Sequence, residues 1–194
     1  MSSPFARSKA LLLVAAALLL LALPAKAEDP AVPVQLQVDL TAKLIEYAEA
    51  PSPQSCPVVR IGILTKSGSV ESAHFAAELK SAFGRIAKIA GLPHEEVSIA
   101  WSSATALASE AKRRQLFAVY VAPGLSSEVP AIASALGGTP ILTIGAIDSY
   151  VPIGAILGFE LASGRPKMVL NLDQAKKQGV SFRASVMKLM RIAH

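Results

Sequence analysis

Leu116-Phe117-Ala118-Val119-Tyr120-Val121-Ala122 is apolar from end to end, as expected of a strand covered on both faces. Two other stretches read the same way: Val58-Val59-Arg60-Ile61-Gly62-Ile63-Leu64 and Pro140-Ile141-Leu142-Thr143-Ile144. Helical patterns separate them. After Thr65–Ser69 turns the chain, Phe75, Leu79, Ala82, Phe83, Ile86 and Ala90 mark the buried side of a helix expected over 70–90. Ser69 can cap its start and Gly91 its end. Val97, Ile99 and Trp101 alternate with smaller or polar residues, which suits a strand nearer a sheet edge. Helices are expected over 103–114 and 125–136, the first ending in Lys112-Arg113-Arg114, where cations suit the negative end of the dipole. Upstream, Leu36, Leu40, Leu44 and Tyr47 give a helix over 34–48 its core-facing stripe. Regular alternation of strand and helix predicts an α/β fold, a three-layer α/β/α sandwich around a mostly parallel sheet.

The rhythm changes after residue 154. Ala155–Leu161 and Lys167–Leu172 are two strands joined by Ser163-Gly164-Arg165-Pro166, a turn signal that predicts a C-terminal antiparallel hairpin. A short helix over 173–178, a break at Gly179 and a last helix from 182 follow, with Phe182, Val186, Leu189 and Met190 as its apolar stripe.

At the other end, residues 10–23 form an unbroken apolar run behind Arg7 and Lys9, followed by Pro24-Ala25-Lys26-Ala27. That is the plan of a cleavable secretory signal peptide over 1–27, too short to span a bilayer comfortably. Cleavage after Ala27 would leave residues 28–194 as a single domain. Three basic and no acidic residues go with the leader, which takes the formal charge from +5 to +2. The mature chain is therefore expected in the periplasm, with no stable membrane insertion. Export and a near-neutral charge make nucleic acid an unexpected partner.

Motifs for chemistry are missing. No G-x-S-x-G, Walker A or G-x-G-x-x-G sequence occurs, and His74, His94 and His194 stand at no metal-ligand spacing. An enzyme is not expected, and neither is a cofactor or metal. Binding sites survive better, because open α/β sheets take ligands outside the carboxyl ends of their strands. There Ser67, Ser69 and Ser126 could help present backbone N–H groups to a small anion. Tyr150 and Pro152 lie in an apolar loop that could either anchor a protein partner or plug the end of the sandwich. The single cysteine, Cys56, forbids an intramolecular disulfide but allows an intermolecular one, and with it a homodimer; the alternative is an inert thiol.

From Ile141 onward the sequence resembles the YfiR family of exported regulators. The resemblance is carried by Ile141-Leu142-Thr143-Ile144, by Gly154 and Phe159, and by Asn171-Leu172-Asp173-Gln174-Ala175-Lys176-Lys177-Gln178-Gly179-Val180. It ends with Val186-Met187-Lys188-Leu189-Met190-Arg191-Ile192. The resemblance implies a non-enzymatic periplasmic protein that binds the periplasmic sensory domain of an inner-membrane signalling protein, such as a diguanylate cyclase, and represses it. Several relatives use cysteine pairs for redox response, which one cysteine cannot reproduce within a chain. The competing reading is a periplasmic small-molecule sensor using the crevice at the strand ends.

Overall fold

The computed structural model describes residues 30–193, so the leader expected over 1–27 lies outside the described residues. The elements run α1 (Val34–Ile45), β1 (Ala48–Ala50), β2 (Val59–Thr65), α2 (Val70–Phe83), β3 (His94–Ala100), α3 (Ala104–Arg113), β4 (Ala118–Val121) and α4 (Val129–Ala135). The second half runs β5 (Leu142–Gly145), β6 (Leu157–Ala162), β7 (Arg165–Asn171), α5 (Leu172–Gln178), β8 (Ser181–Phe182), α6 (Ala184–Met187) and β9 (Arg191–Ala193). Seven strands form one sheet in the order β3-β2-β4-β5-β6-β7-β9, and β1 pairs with β8 in a two-stranded patch. Only β6 and β7 are antiparallel neighbours in the large sheet; the other pairs are parallel. The predicted α/β architecture, with its hairpin at Ser163-Gly164, is what the chain adopts.

The apolar runs become the central strands because both faces are covered. One face carries α1, α2 and the C-terminal segment over Ile61, Ile63, Tyr120, Ile144 and Phe159. The other carries α3, α4 and the 147–155 loop over Leu64, Val119 and Val121. Strand β3 is an edge, as its alternation implied, with Val97 and Ile99 buried and Ser98 and Ala100 exposed.

Register fixes where the hairpin stands. Leu157 pairs with Ile144, one residue before the end of β5, so β6 runs four residues past Gly145 before the chain turns back.

The structure corrects three expectations. Helix α2 ends at Phe83, with Gly84 as its cap, rather than at 90. Ile86 and Ala90 still pack on the core, but from a turn closed by the Ile89–Leu92 bridge and by His94 Nε2, 2.7 Å from the Ile86 carbonyl. The last helix shrinks to one turn, and the chain then extends as β9, parallel to β7. Leu189, expected in a core stripe, is 68% exposed. Arg191 holds β9 by donating from Nε and Nη2 to the Glu160 carboxylate across the sheet, at 2.8–3.0 Å. Finally, the buried face of α1 is Gln37, Val38, Thr41, Ala42, Leu44 and Ile45, while Leu36 and Leu40 are half-buried and Tyr47 is exposed.

Candidate functional site

Strand order reverses its sense of progression between β2 and β4. The chain leaves β2 through α2 toward β3, and leaves β4 through α4 on the opposite face toward β5. Neighbouring strands whose exits diverge open a crevice at their carboxyl ends, where α/β sheets bind ligands. Here the crevice is flanked by Lys66–Ser69 and Ala122–Glu128. Lys66 Nζ lies 3.6 Å from the Glu128 carboxylate, an ion pair that ties the two loops together. Gly124 (φ +85°) brings its backbone close to the Ser69 hydroxyl and the Lys66 side chain, a conformation that a side chain would strain.

Three backbone donors at this rim are engaged by side chains. Ser69 Oγ accepts from Ser72 N at 3.1 Å and caps α2; Ser72 Oγ accepts from Lys66 N at 2.9 Å; Leu125 N donates to the Tyr150 hydroxyl at 2.9 Å.

Beside the crevice a groove of about 520 Å³ runs between the start of α1 and the outer side of α2. Its apolar walls include Val32, Pro33, Phe75 and Pro123, and Glu71, His74, Glu78 and Arg85 supply its charge. Arg85 Nη1 donates to Gln35 Oε1 at 2.8 Å, closing the lower end, and His74 sits 3.3 Å from Glu78. Under the groove, Tyr120 is fully buried on β4. Its hydroxyl lies 3.0 Å from Thr41 Oγ1, and its ring centroid is 6.3 Å from that of Phe75. Burial pushes the Tyr120 phenol far above its ordinary range, with the Thr41 hydrogen bond pulling partly back, so it stays neutral.

The residues singled out from sequence scatter. Ser67 is exposed beside the crevice, Ser69 serves as a helix cap and Ser126 is half-buried in the loop after β4. Tyr150 is not an exposed anchor: it is completely buried, and its hydroxyl donates to the Ala122 carbonyl at 3.2 Å, so it plugs the end of the sandwich. Pro152 is exposed and lines a separate cleft of about 590 Å³ with Ile153, Asn171, Asp173 and Lys177. Cys56 is half-buried at the opposite end of the strands, in an apolar pocket of about 440 Å³ with Phe117 and Ile141. Another apolar hollow, about 330 Å³, lies between Leu40, Tyr47, Met168 and Leu189 on the α1 face. Gln37, Thr41 and Glu71 escaped the sequence reading. The first two recur at helical spacing on α1, but a Leu stripe beside them drew the inference away.

Among the described residues no helix is long and apolar enough to cross a membrane. No curated protein matches the sequence. Solved structures do. The ABC domain from Streptococcus pneumonia in complex with L-Trp superposes with a TM-score of 0.58 at 20% identity, covering 83% of this chain and 62% of its own. A conserved domain protein from Vibrio cholerae gives 0.55 at 15% identity, covering 84% of this chain and 60% of its own. The ligand-free, open form of CD0873, a substrate binding protein with adhesive properties from Clostridium difficile, gives 0.55 at 16%, with 84% and 60% covered. At such identities the likeness is one of fold, and the chain spans about three fifths of the length of these structures. The model of the YfiR/HmsC-like family matches residues 34–191, from the first helix to the edge strand β9, and the chain belongs to that family.

Proposed function

We propose that the protein is a periplasmic, non-enzymatic regulator that binds the periplasmic sensory domain of an inner-membrane signalling protein, a diguanylate cyclase or a related sensor, and holds it in its inactive state. Family membership over residues 34–191 is the observation that carries this reading. The leader-like residues 1–27 and the one-domain architecture over 28–194 agree with it. So does the surface: Tyr47, Leu161 and Leu189 are large apolar side chains left 39%, 48% and 68% exposed, and Tyr47 and Leu189 flank the same hollow. Regulation would work by population shift, since a protein that binds one state of a sensor more tightly than another moves the equilibrium by that difference in affinity. Deleting the gene and measuring intracellular cyclic-di-GMP tests it. The expected result is a rise that the exported chain reverses and a leaderless chain does not. Unchanged cyclic-di-GMP, with no membrane signalling protein cross-linked to the exported chain, would overturn the proposal.

A further inference from the structure

We infer that the chain pairs with a second copy of itself through the free edge of β3, antiparallel about a two-fold axis at Val97, so that the two seven-stranded sheets become continuous. The hydrogen bonds say which groups are free. Val59 N donates to the Pro93 carbonyl at 3.0 Å and Trp101 N to the Thr65 carbonyl at 2.8 Å, so residues 93 and 101 turn their backbone toward β2. Backbone direction alternates along a strand, and the β2–β3 register runs unbroken from Val59–His94 to Thr65–Ala100. Glu95, Val97 and Ile99 therefore bond to β2 as well. His94, Glu96, Ser98 and Ala100 aim their N–H and C=O groups off the sheet. Among the described residues no strand pairs with that side.

An unpaired edge invites another strand, and folded proteins blunt such edges with short strands, prolines, lysines or bulges. The opposite edge of this sheet is blunted in that way. Strand β9 has three residues, and the part of β7 that it leaves uncovered begins Arg165-Pro166-Lys167. Strand β3 has seven residues, no Pro, Lys or Arg, and an unbroken register. Its carboxylates are held within the chain, Glu95 by Arg60 at 3.1 Å and Glu96 by His94 at 2.6 Å. Symmetry then selects how two copies meet. With the axis at Val97, His94 faces Ala100 and Glu96 faces Ser98 in both directions, so every outward residue of β3 is paired and no like charges oppose each other. Moving the axis one residue either way pairs only three of the four within β3, and an axis at Glu96 sets two carboxylates face to face. The hollow between Leu40, Tyr47, Met168 and Leu189 stays open, because Met168 stands on β7 near the far end of the sheet. The inference concerns the chain with its own copy and stands apart from its role as a regulator.

Sedimentation equilibrium of the exported protein, under reducing conditions that exclude a Cys56 disulfide, tests the pairing together with amide hydrogen exchange at low and high concentration. A monomer–dimer equilibrium is expected with Kd of ~1 mM or tighter, weak as small interfaces are. On dimerisation the amides of Glu96, Ser98 and Ala100 should gain protection, while those of Glu95, Val97 and Ile99, already bonded within the chain, should change little. Ser98 is exposed, so its side chain can be altered without disturbing the core. Ser98→Glu sets a carboxylate opposite Glu96 of the second copy, twice over by symmetry, and should weaken the dimer by about tenfold; Ser98→Arg meets the same carboxylate with a cation and should not weaken it. Three results would each overturn the inference: a chain still monomeric at ~1 mM; a dimer whose new protection lies outside β3 or lacks the alternation; or Ser98→Glu weakening the dimer no more than Ser98→Arg. Because the exchange pattern is read on the unaltered protein, it decides the matter even if a Ser98 variant does not fold.

Discussion

Replacing Tyr150 by Phe removes a single oxygen from the interior, and the structure says what it should cost. The ring is completely buried and would stay packed. The hydroxyl accepts from Leu125 N at 2.9 Å and donates to Ala122 O at 3.2 Å, so its loss strips a buried N–H of its partner and a carbonyl of one of its own. An unsatisfied buried donor costs about 1–3 kcal/mol, and Ala122 O, with a second lone pair, adds less. The sum is near 2 kcal/mol. For a chain of this length roughly 2–4 °C of Tm goes with each kcal/mol, giving a fall of about 4–8 °C. Denaturant unfolding would give the free energy, and hydrogen exchange at the Leu125 amide would localise it, with protection lower by about 30-fold if that loop opens with the fold. An anchor on the surface would behave differently, with unchanged stability and weaker partner binding. A Tyr150→Phe protein within ~0.5 kcal/mol of the parent, the range of ordinary surface changes, would show that the hydroxyl does not tie the two loops together.

Other perturbations follow from equally local geometry. Hydrogen bonds from Arg191 hold the Glu160 carboxyl below its ordinary range. A folded-state value below the unfolded one means stability present above the ordinary carboxylate range and lost as pH falls through the folded value. Both side chains are partly exposed, so Glu160→Gln should cost only ~0.5–1 kcal/mol at neutral pH and progressively less as pH falls through the carboxyl's lowered value, read from urea unfolding across the acid range. Gly158→Ala would place a Cβ 2.4 Å from Val151 Cγ2; overpacking of this kind costs about 1–3 kcal/mol, and calorimetry should show it as a lower Tm. Gln178 Nε2 donates to Ile141 O at 2.8 Å and to Thr143 Oγ1 at 2.9 Å, while Oε1 accepts from Gln174 at 2.9 Å. Gln178→Met, similar in length but without these contacts, should destabilise by about 3 kcal/mol in the same experiment.

What could be read in the chain, and what could not, divides by the range of the interactions. The buried strands β2, β4 and β5 announce themselves because a strand covered on both faces must be apolar throughout. The Ser69 cap and the Ser163-Gly164 turn are local chemistry and were equally legible. The C-terminus was not. Phe182, Val186 and Met190 do pack inward, but from a two-residue strand, one helical turn and a short linker, which happen to mimic a helical period. The β1–β8 pairing joins Ala48 to Phe182; β1 is Ala-Glu-Ala, with no β-branched or aromatic residue to mark a strand, and β8 is only two residues long. On α1, the burial of Gln37 depends on carbonyls at Val32 and Ala146, the latter 109 residues away. No local pattern encodes that distance.

The hairpin gives the molecule a further property. Beyond Gly145 the last four residues of β6 carry the ribbon about 13 Å past the neighbouring strands, at the usual rise per residue. Its tip is exposed from Ser163 to Lys167 and ends in a two-residue turn. Such tips are where proteases first cut and where inserted sequence is best tolerated. A chain nicked between Ser163 and Gly164 would keep both halves together, since β6 remains laddered to β7 and β1 to β8 across the cut. An epitope or fluorophore is best grafted at that turn, far along the chain from α1 and the rim it helps to build.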